Sequence, residues 1–286
     1  MITAVEKSHR KLMCSISAVC EAFGVKRNAY YKTLKTELKH KQNAIKVLAF
    51  VKHQRKIQSR EGGRKLHKDM QDDVKMQELK IGRDKLFGIL KEHDMLVKKK
   101  RSFVKTTDSN HHFRKHKNLI KDLAIVRPNQ VWVADITYIR LIKGHCYLAL
   151  ITDLYSRKIV GYDVSNSLEL AGCLRAFKRA HRLARPAQGL FHHSDRGSQY
   201  CSNEYVRLLK SNHVNISMTE QNHCYENAVA ERVNGILKDE FYLDECFTNL
   251  DMAIKACDNA IKIYNTKRLH LSLNYKTPDQ VYKMIA

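Results

Sequence analysis

Three carboxylates in this sequence have the residue type and the spacing to bind divalent metal ions. Asp135 lies inside an apolar, strand-like run at 131–139, and Asp195 directly follows a short apolar run. Glu231 lies in a stretch with helical character, and 231 − 195 − 1 = 35 residues separate it from Asp195. A carboxylate in an apolar strand is costly to bury unless it is paired or bound to a cation. We therefore predict that the three side chains meet around metal ions that support phosphoryl transfer.

This chemistry requires several oxygen ligands close together. Mg²⁺ takes oxygen ligands, and two ions about 3.5–4 Å apart can activate an attacking oxygen and stabilise a leaving oxygen. Gly197 is expected to allow a sharp turn after the strand that precedes Asp195. Glu231, Asn234 and Lys238 fall at i, i+3 and i+7, so one helix face would present a carboxylate, an amide and a cation. A solvated helix face would also mix charges, and both interpretations stay open.

The elements that must position these residues begin at residue 128, where helical periodicity gives way to alternation. Three alternating runs with short connections predict an antiparallel meander. Helices and two further short strands then follow in turn. The predicted strands are 130–140, 146–152, 158–164, 190–193 and 214–218, and the predicted helices are 168–183, 203–211, one through Glu231 to about 242, and 250–264. This order predicts an α/β core of the ribonuclease-H-like fold, with a mixed five-stranded sheet flanked by helices.

Charge is distributed unevenly along the chain, whose formal net charge is +23. Residues 1–127 contain 32 Lys and Arg against 13 Asp and Glu, a net of 32 − 13 = +19. Residues 128–286 contain the remaining 20 and 16, a net of +4. A basic half joined to a nearly neutral half indicates a region that binds a polyanion, and nucleic acid is the expected partner. An anionic membrane surface is the competing partner, but no strongly apolar amphipathic helix supports it.

The basic half is predicted to be all-α. Residues 12–35 have the pattern of a helix-turn-helix unit, with Lys26 and Arg27 as candidates for phosphate contact, although a generic helical hairpin fits equally. Further helices are predicted at 44–59, 64–72 and 82–96. We predict four segments: a helix-turn-helix-like DNA-binding segment at 1–40, a second helical DNA-binding segment at 41–102, a basic linker at 103–127 that is helical at 111–122, and the catalytic core with its C-terminal helix and tail at 128–286.

Composition also limits the compartment and the cofactors. The eight cysteines form no C-x-x-C pair, which is typical of reduced thiols in a cytoplasmic protein. His111, His112 and His116 have no paired cysteines at zinc-finger spacing, so no structural zinc is expected. No apolar run is long enough for a transmembrane helix and no secretory signal is evident, so we expect a cytoplasmic protein with no membrane partner.

The motifs around the three carboxylates resemble those of the D,D-35-E transposases. They are similar above all to the second-frame product of the insertion-sequence-three family, whose catalytic core is related to retroviral integrases. The matching segments are Trp132–Tyr138, Ser194–Tyr200, Asn227–Arg232 and a C-terminal group formed by Tyr264, Asn265, Arg268, His270, Leu273, Thr277 and Pro278. Leu269 stands where the family often has proline. The resemblance covers nearly the whole chain.

The resemblance implies a metal-dependent enzyme that acts on the ends of an insertion sequence. Asp135, Asp195 and Glu231 would ligate two ions of Mg²⁺ or Mn²⁺. Water would cleave the strand at the element end, and the released 3′-hydroxyl would attack another phosphodiester. The implied partners are double-stranded DNA, both terminal inverted repeats and target, further copies of the chain on that DNA, and an upstream-frame protein as fusion or partner.

The basic residues near these motifs are weaker candidates. Lys238, Arg268 and His270 could hold DNA near the carboxylates, and simple solvent exposure would account for each of them equally well. Two other functions stay open. A nuclease of the same fold would cut DNA without joining it, and a non-enzymatic DNA-binding regulator of transposition would not depend on Asp135.

Overall fold

The computed structural model describes residues 15–98, 113–220 and 227–284 of the 286-residue chain. The chain divides into two compact units. The helical unit contains the described residues up to Lys56 together with Gly62–Leu96, and the sheet unit contains Ile57–Glu61 together with the described residues from Val97 onward. The predicted segment boundaries at 40/41, 102/103 and 127/128 stay predictions.

The helices before residue 98 have other boundaries than the predicted ones. They are α1 (Ile16–Ala22), α2 (Arg27–Ile57), α3 (Gly63–Asp72), α4 (Val74–Gln77) and α5 (Arg83–Glu92). The separate helices predicted on either side of residue 40 are one helix of 31 residues, so that prediction was wrong. The reason is local, because α2 contains neither glycine nor proline and is rich in good helix formers.

Two clusters of buried side chains hold the helical unit together. Val19 and Cys20 of α1 pack against Tyr30 of α2. A larger cluster joins the second half of α2 to the three helices that follow it. Its buried members are Ala44, Val47, Val51, Leu66, Met70, Met76, Leu86, Ile89 and Leu90.

The sheet unit is built on the predicted mixed sheet. Its main strands are β1 (Val131–Leu141), β2 (His145–Asp153), β3 (Ile159–Ser165), β4 (Phe191–Ser194) and β5 (Asn215–Met218). Their order is β3-β2-β1-β4-β5, with the first three antiparallel and β4 and β5 parallel to β1. A sixth strand, β6 (Cys246–Phe247), pairs with the end of β1. Its two residues are too few to produce an alternation that could have been read in the sequence.

Helices cover both faces of this sheet. They are α6 (Leu170–Ala184), α7 (Ser198–Cys201), α8 (Asn203–Ser211), α9 (Ala228–Phe241), α10 (Leu250–Thr266) and α11 (Pro278–Lys283), with a 3₁₀ turn at Leu271–Leu273. One core joins the sheet to α6 and α8 and includes Trp132 and Phe177. The other joins it to α9 and α10 and includes Leu237 and Tyr264. The predicted α/β ribonuclease-H-like architecture is confirmed.

The segment before the sheet is not the predicted helix. Residues 113–122 are irregular, and 111–112 lie outside the described residues. The Met218 amide donates to the Lys117 carbonyl at 3.2 Å, and the Leu119 amide donates to Ser217 Oγ at 2.9 Å. Because these backbone groups bond to the edge strand β5, they are not available for helical bonds. Within the described parts of the chain, no helix is long and apolar enough to cross a membrane.

Candidate active site

Parallel pairing between β1 and β4 brings Asp135 and Asp195 next to each other in the middle of the sheet. Ala134 pairs with Ser194 at the last position of this register. Asp135 and Asp195 are the residues that follow this pair. Adjacent strands of a sheet lie about 4.8 Å apart, so the two carboxylates adjoin where β4 ends, while β1 continues to Leu141. Consistent with this, the charge of Asp195 is one cause of the raised pKa of Asp135.

The loop after β4 is shaped around Asp195. Its Oδ1 accepts a hydrogen bond from the Gly197 amide at 3.1 Å. A Cβ atom on Gly197 would lie 3.1 Å from the same Oδ1 and 3.3 Å from Gln199 Oε1. The φ of Gly197 is −64°, which any residue adopts. The glycine is therefore explained by the close approach of Asp195 and not by the sharp turn that we expected.

Asp135 is held by two hydrogen bonds and is destabilised as an anion. Its Oδ1 accepts from the Ile136 amide at 2.9 Å, and its Oδ2 accepts from Asn234 Nδ2 at 2.6 Å. Burial, and then the charges of Asp195 and Glu231, raise the pKa of Asp135 to about 7, against the lowering effect of these bonds. A bound cation would relieve this unfavourable charge.

The N-terminal half of α9 packs against β1 next to Asp135. Asn227 Nδ2 donates to the Ala134 carbonyl at 3.2 Å, next to Asp135. Glu231 lies in the first turn of α9, and burial followed by the charge of Asp195 raises its pKa. Asn234 donates to Asp135, one turn further along. The aligned face predicted from the sequence therefore points at β1.

Lys238 lies on the same face of α9 and contacts β1. Its Nζ is 4.2 Å from the centroid of the Tyr138 ring. Burial lowers the pKa of Lys238, whereas the charges of Asp135 and Asp244 raise it and that of Arg140 lowers it. Lys238 is thus an ordered cation within electrostatic reach of the Asp135 carboxylate.

The three carboxylates do not form a complete metal cage. In the described residues, no group of three His, Cys, Asp or Glu side chains could hold one metal ion. Asp135 and Asp195 adjoin, whereas the side chain of Glu231 is exposed to solvent. The charges of the three groups nevertheless act on one another, because Asp195 and Glu231 raise the pKa of Asp135 and Asp195 raises that of Glu231. Their convergence on a shared metal pair stays a prediction. The donors are oxygen atoms of carboxylates, a set that fits Mg²⁺ or Mn²⁺ better than Zn²⁺.

A cavity of about 550 Å³ opens beside Asp135 and Asp195. Its other walls include side chains from the β1–β2 hairpin, for which we had predicted no role in the site. These are Thr137, Tyr138, Arg140, His145 and Tyr147. Tyr138, Arg140, His145 and Tyr147 share one face of the two paired strands, which alternation could have indicated. Nothing in the sequence indicated that the cavity lies there.

Arg268 and His270 are buried away from the carboxylates. Arg268 Nε and Nη2 donate to Glu240 Oε2 and Oε1 at 2.9 and 2.6 Å. The imidazole of His270 stacks edge-on against Tyr264, with ring centroids 5.1 Å apart, and the His270 amide donates to the Lys276 carbonyl. These contacts support structural roles for both residues in the segment after α10.

Lys26 and Arg27 belong to the helical unit. Both are exposed where α2 begins, and the Arg27 guanidinium lies 5.7 Å from the centroid of the Tyr31 ring. Their exposure leaves them accessible to a polyanion.

Family models and known proteins that are similar to this chain indicate the same family. Integrase core domain families match residues 126–224 and 212–278. The "Insertion element IS600 uncharacterized 31 kDa protein" of Shigella sonnei is 38% identical over 269 residues, which cover 91% of this chain and 96% of that protein. "Transposase InsF for insertion sequence IS3A" of Escherichia coli (strain K12) is 27% identical over 276 residues, with 93% of each chain covered.

A solved structure of the HTLV-2 integrase catalytic core domain in complex with magnesium is also similar. It has 23% sequence identity and a TM-score of 0.44, and the match covers 55% of this chain and 98% of that chain. The shared motifs, the core domain matches and the nearly full-length relatives all agree. The chain therefore belongs to the insertion-sequence-three family of DDE transposases, which are polynucleotidyl transferases with an integrase core domain.

Proposed function

We propose that this transposase binds the ends of its insertion sequence and catalyses metal-dependent cleavage and strand transfer with Asp135, Asp195 and Glu231. The observation that supports this most directly is the register of β1 and β4, which ends one residue before both aspartates. Two divalent ions, Mg²⁺ or Mn²⁺, would activate the attacking oxygen and stabilise the leaving oxygen.

The protein's own residues prepare the site for these ions. Asn234 orients the Asp135 carboxylate through one short hydrogen bond, and the Gly197 amide does the same for Asp195. Glu231 brings a third carboxylate from the first turn of α9. Lys238, ordered over Tyr138, is placed to bind a phosphate of the DNA next to Asp135.

Other contacts with DNA are assigned to the helical unit. Lys26 and Arg27 are exposed and belong to the half of the chain with a net charge of +19 (32 − 13). The partners are the terminal inverted repeats, target DNA, further copies of this chain and an upstream-frame protein, as fusion or separate chain. Arg268 and His270 shape the segment after α10 instead of touching DNA.

A strand-transfer assay tests this function. The full chain is incubated with Mn²⁺, a supercoiled plasmid and a labelled duplex that carries a pre-cleaved element end. We expect label in the plasmid, and none when Asp135→Asn replaces the wild type. In a parallel reaction with an uncut end, cleavage without any joined product would instead identify a nuclease. Transposition in cells that survives Asp135→Asn would identify a DNA-binding regulator.

A further inference from the structure

The C-terminal end of α9 is fixed by hydrogen bonds that involve none of the proposed metal ligands. Glu240 Oε2 accepts from Gln58 Nε2 at 2.8 Å, and both oxygens of Glu240 accept from Arg268. Gln58 and Arg268 are only 3% and 4% exposed. A carboxylate that accepts three hydrogen bonds from buried partners is strongly restrained, because each lost bond would leave a buried polar group without compensation.

Arg60 adds contacts at the same end of the helix. Its Nη1 donates to the carbonyl of Asp239 at 2.9 Å, and its guanidinium lies 5.8 Å from the centroid of the Tyr242 ring. Gln58 and Arg60 belong to Ile57–Glu61, the short segment that lies in the sheet unit although the residues on both sides of it belong to the helical unit. We call this segment the brace.

Glu240 is too far from the metal ligands to act on them directly. It follows Glu231 by 240 − 231 = 9 residues, which corresponds to about 13.5 Å and two and a half turns of α-helix. Glu240 and Glu231 therefore lie on opposite sides of α9. α9 contains no proline, a common cause of sharp kinks, so a shift at its C-terminal end is expected to displace its N-terminal end.

We propose that Glu240 is a positioning residue for the transposase reaction. By joining the brace and Arg268 to the C-terminal end of α9, it fixes the tilt of the helix and hence the place of Glu231 beside Asp135 and Asp195. The proposal rests on the proposed function, in which Glu231 takes part in metal binding. Asn227 and Asn234 restrain the N-terminal half of α9, whereas Glu240, together with the bond from Arg60 to Asp239, restrains the other end.

The test compares two carboxylates that are each bound by arginine. Glu240→Gln removes the negative charge of this side chain with little change in its volume. Asp163→Asn is the matched control, because Asp163 is buried and paired with Arg175 at 2.7 Å and Arg179 at 3.1 Å, outside α9. For both full-length variants, we would measure the melting temperature without metal, the Mn²⁺ concentration for half-maximal cleavage, and the rise in melting temperature caused by Mn²⁺.

Glu240→Gln should raise the Mn²⁺ concentration for half-maximal cleavage by roughly fivefold, the equivalent of about one hydrogen bond. It should also weaken the thermal shift caused by Mn²⁺, whereas Asp163→Asn should change only the melting temperature without metal. Equal Mn²⁺ requirements in the two variants would overturn the positioning role. Failure of the proposed function would look different, because the wild type would then show no metal-dependent cleavage.

A second variant keeps the inference testable if Glu240→Gln does not fold. Gln58→Leu preserves buried volume and leaves the bonds between Glu240 and Arg268 in place, while it removes one link to the brace. A smaller increase in the Mn²⁺ requirement is expected. An unchanged requirement in folded Gln58→Leu, together with a normal thermal shift, would contradict a contribution of the brace.

Discussion

At the scale of single residues, the site is defined by an unfavourable concentration of negative charge. The pKa of Asp135 is raised, because burial and the charges of Asp195 and Glu231 outweigh the lowering effect of its two hydrogen bonds. Such a carboxylate destabilises the folded protein when it is ionised and lacks a cation. The proposed metal ions would reverse this effect, which leads to two predictions.

Replacement of Asp135 should separate stability from activity. In Asp135→Asn, cleavage and joining should fall by roughly a thousandfold or more, because one ligand of the ions is lost. The melting temperature at pH 8 without metal should stay equal or rise, because the amide does not carry the unfavourable charge. Asp251→Asn, at an exposed position in the first turn of α10, serves as the control and should keep its activity. A large loss of stability in Asp135→Asn would contradict this account.

Stabilisation by metal should depend on pH. The pKa of Asp135 is about 7 in the fold and about 3.9 in an unfolded chain. The folded state therefore binds more protons between these values, and without metal the contribution of Asp135 to stability falls as the pH rises from about 4 to about 7. Because Mn²⁺ competes with that proton, it should raise the melting temperature more at pH 8 than at pH 6. Differential scanning fluorimetry would show the difference, which Asp135→Asn should abolish.

At the scale of elements, the loop after β4 and the two ends of α9 determine where the carboxylates lie. The loop brings its backbone against Asp195, and the helix is tied to β1 at one end and to Arg268 near the other. These restraints are local. Substitutions of residues that hold the carboxylates in place, and that do not bind metal themselves, should therefore change either activity or stability more than the other.

Gly197→Ala should impair catalysis more than folding. The added Cβ would meet Asp195 Oδ1 at 3.1 Å, so the carboxylate must shift by a few tenths of an ångström. We expect cleavage to fall by about tenfold to a hundredfold, because small misplacements of reacting groups are costly. Gly88→Ala in α5 is the control, since nothing lies within 4 Å of its added Cβ. That variant should be stabilised by up to about 1 kcal/mol and keep its activity. Chemical denaturation and cleavage rates would be compared.

Arg268→Met should act on stability and not on DNA affinity. It removes the guanidinium that binds both oxygens of Glu240, and we expect a loss of about 2–3 kcal/mol in the free energy of unfolding. Lys267→Met, at the exposed neighbouring position, should have little effect on unfolding. If Arg268→Met instead weakened DNA binding with unchanged stability, the guanidinium would have to be assigned to DNA contact.

The sequence predicted these elements unequally. Alternation predicted the first three strands, β4 and β5 were predicted as short strands, and helical spacing predicted the helix through Glu231. The continuous α2 was missed because its polar middle hides the apolar period. The pairing of Arg268 with Glu240 could not be predicted, since the bond joins residues 28 positions apart through tertiary packing. The charge of Arg268 and its place in the matching C-terminal segment suggested DNA contact, and its burial favours the structural role that we propose.

At the scale of the whole molecule, charge divides the chain into a basic half and a nearly neutral half. The net of +19 (32 − 13) before residue 128 exceeds by far the net of +4 (20 − 16) after it. Binding of DNA by the basic half should therefore be strongly dependent on salt.

Lys26→Ala and Arg27→Ala test this assignment. Each should weaken binding to element ends and to unrelated duplexes alike, and each should reduce the slope of log K against log salt by about 0.9 if it contacts one phosphate. Lys255→Ala, at an exposed position of α10, is the control and should leave the slope unchanged. Fluorescence anisotropy at several salt concentrations would measure the slopes. Unchanged slopes in both N-terminal variants would assign the contact to other cations.

The brace makes the sheet unit discontinuous in sequence, and this affects how the protein can be divided. A fragment that begins at residue 128 lacks Gln58, the partner of Glu240, and also lacks residues 113–127, which bond to the edge of β5. Its β5 edge would then be open to pairing with other chains, and aggregation is the expected result. Cleavage by a protease within 62–96, by contrast, would leave the brace in the sheet unit. A protein cleaved within 62–96 should therefore preserve more of the native site than a recombinant fragment that begins at residue 128, where the charge of the chain changes.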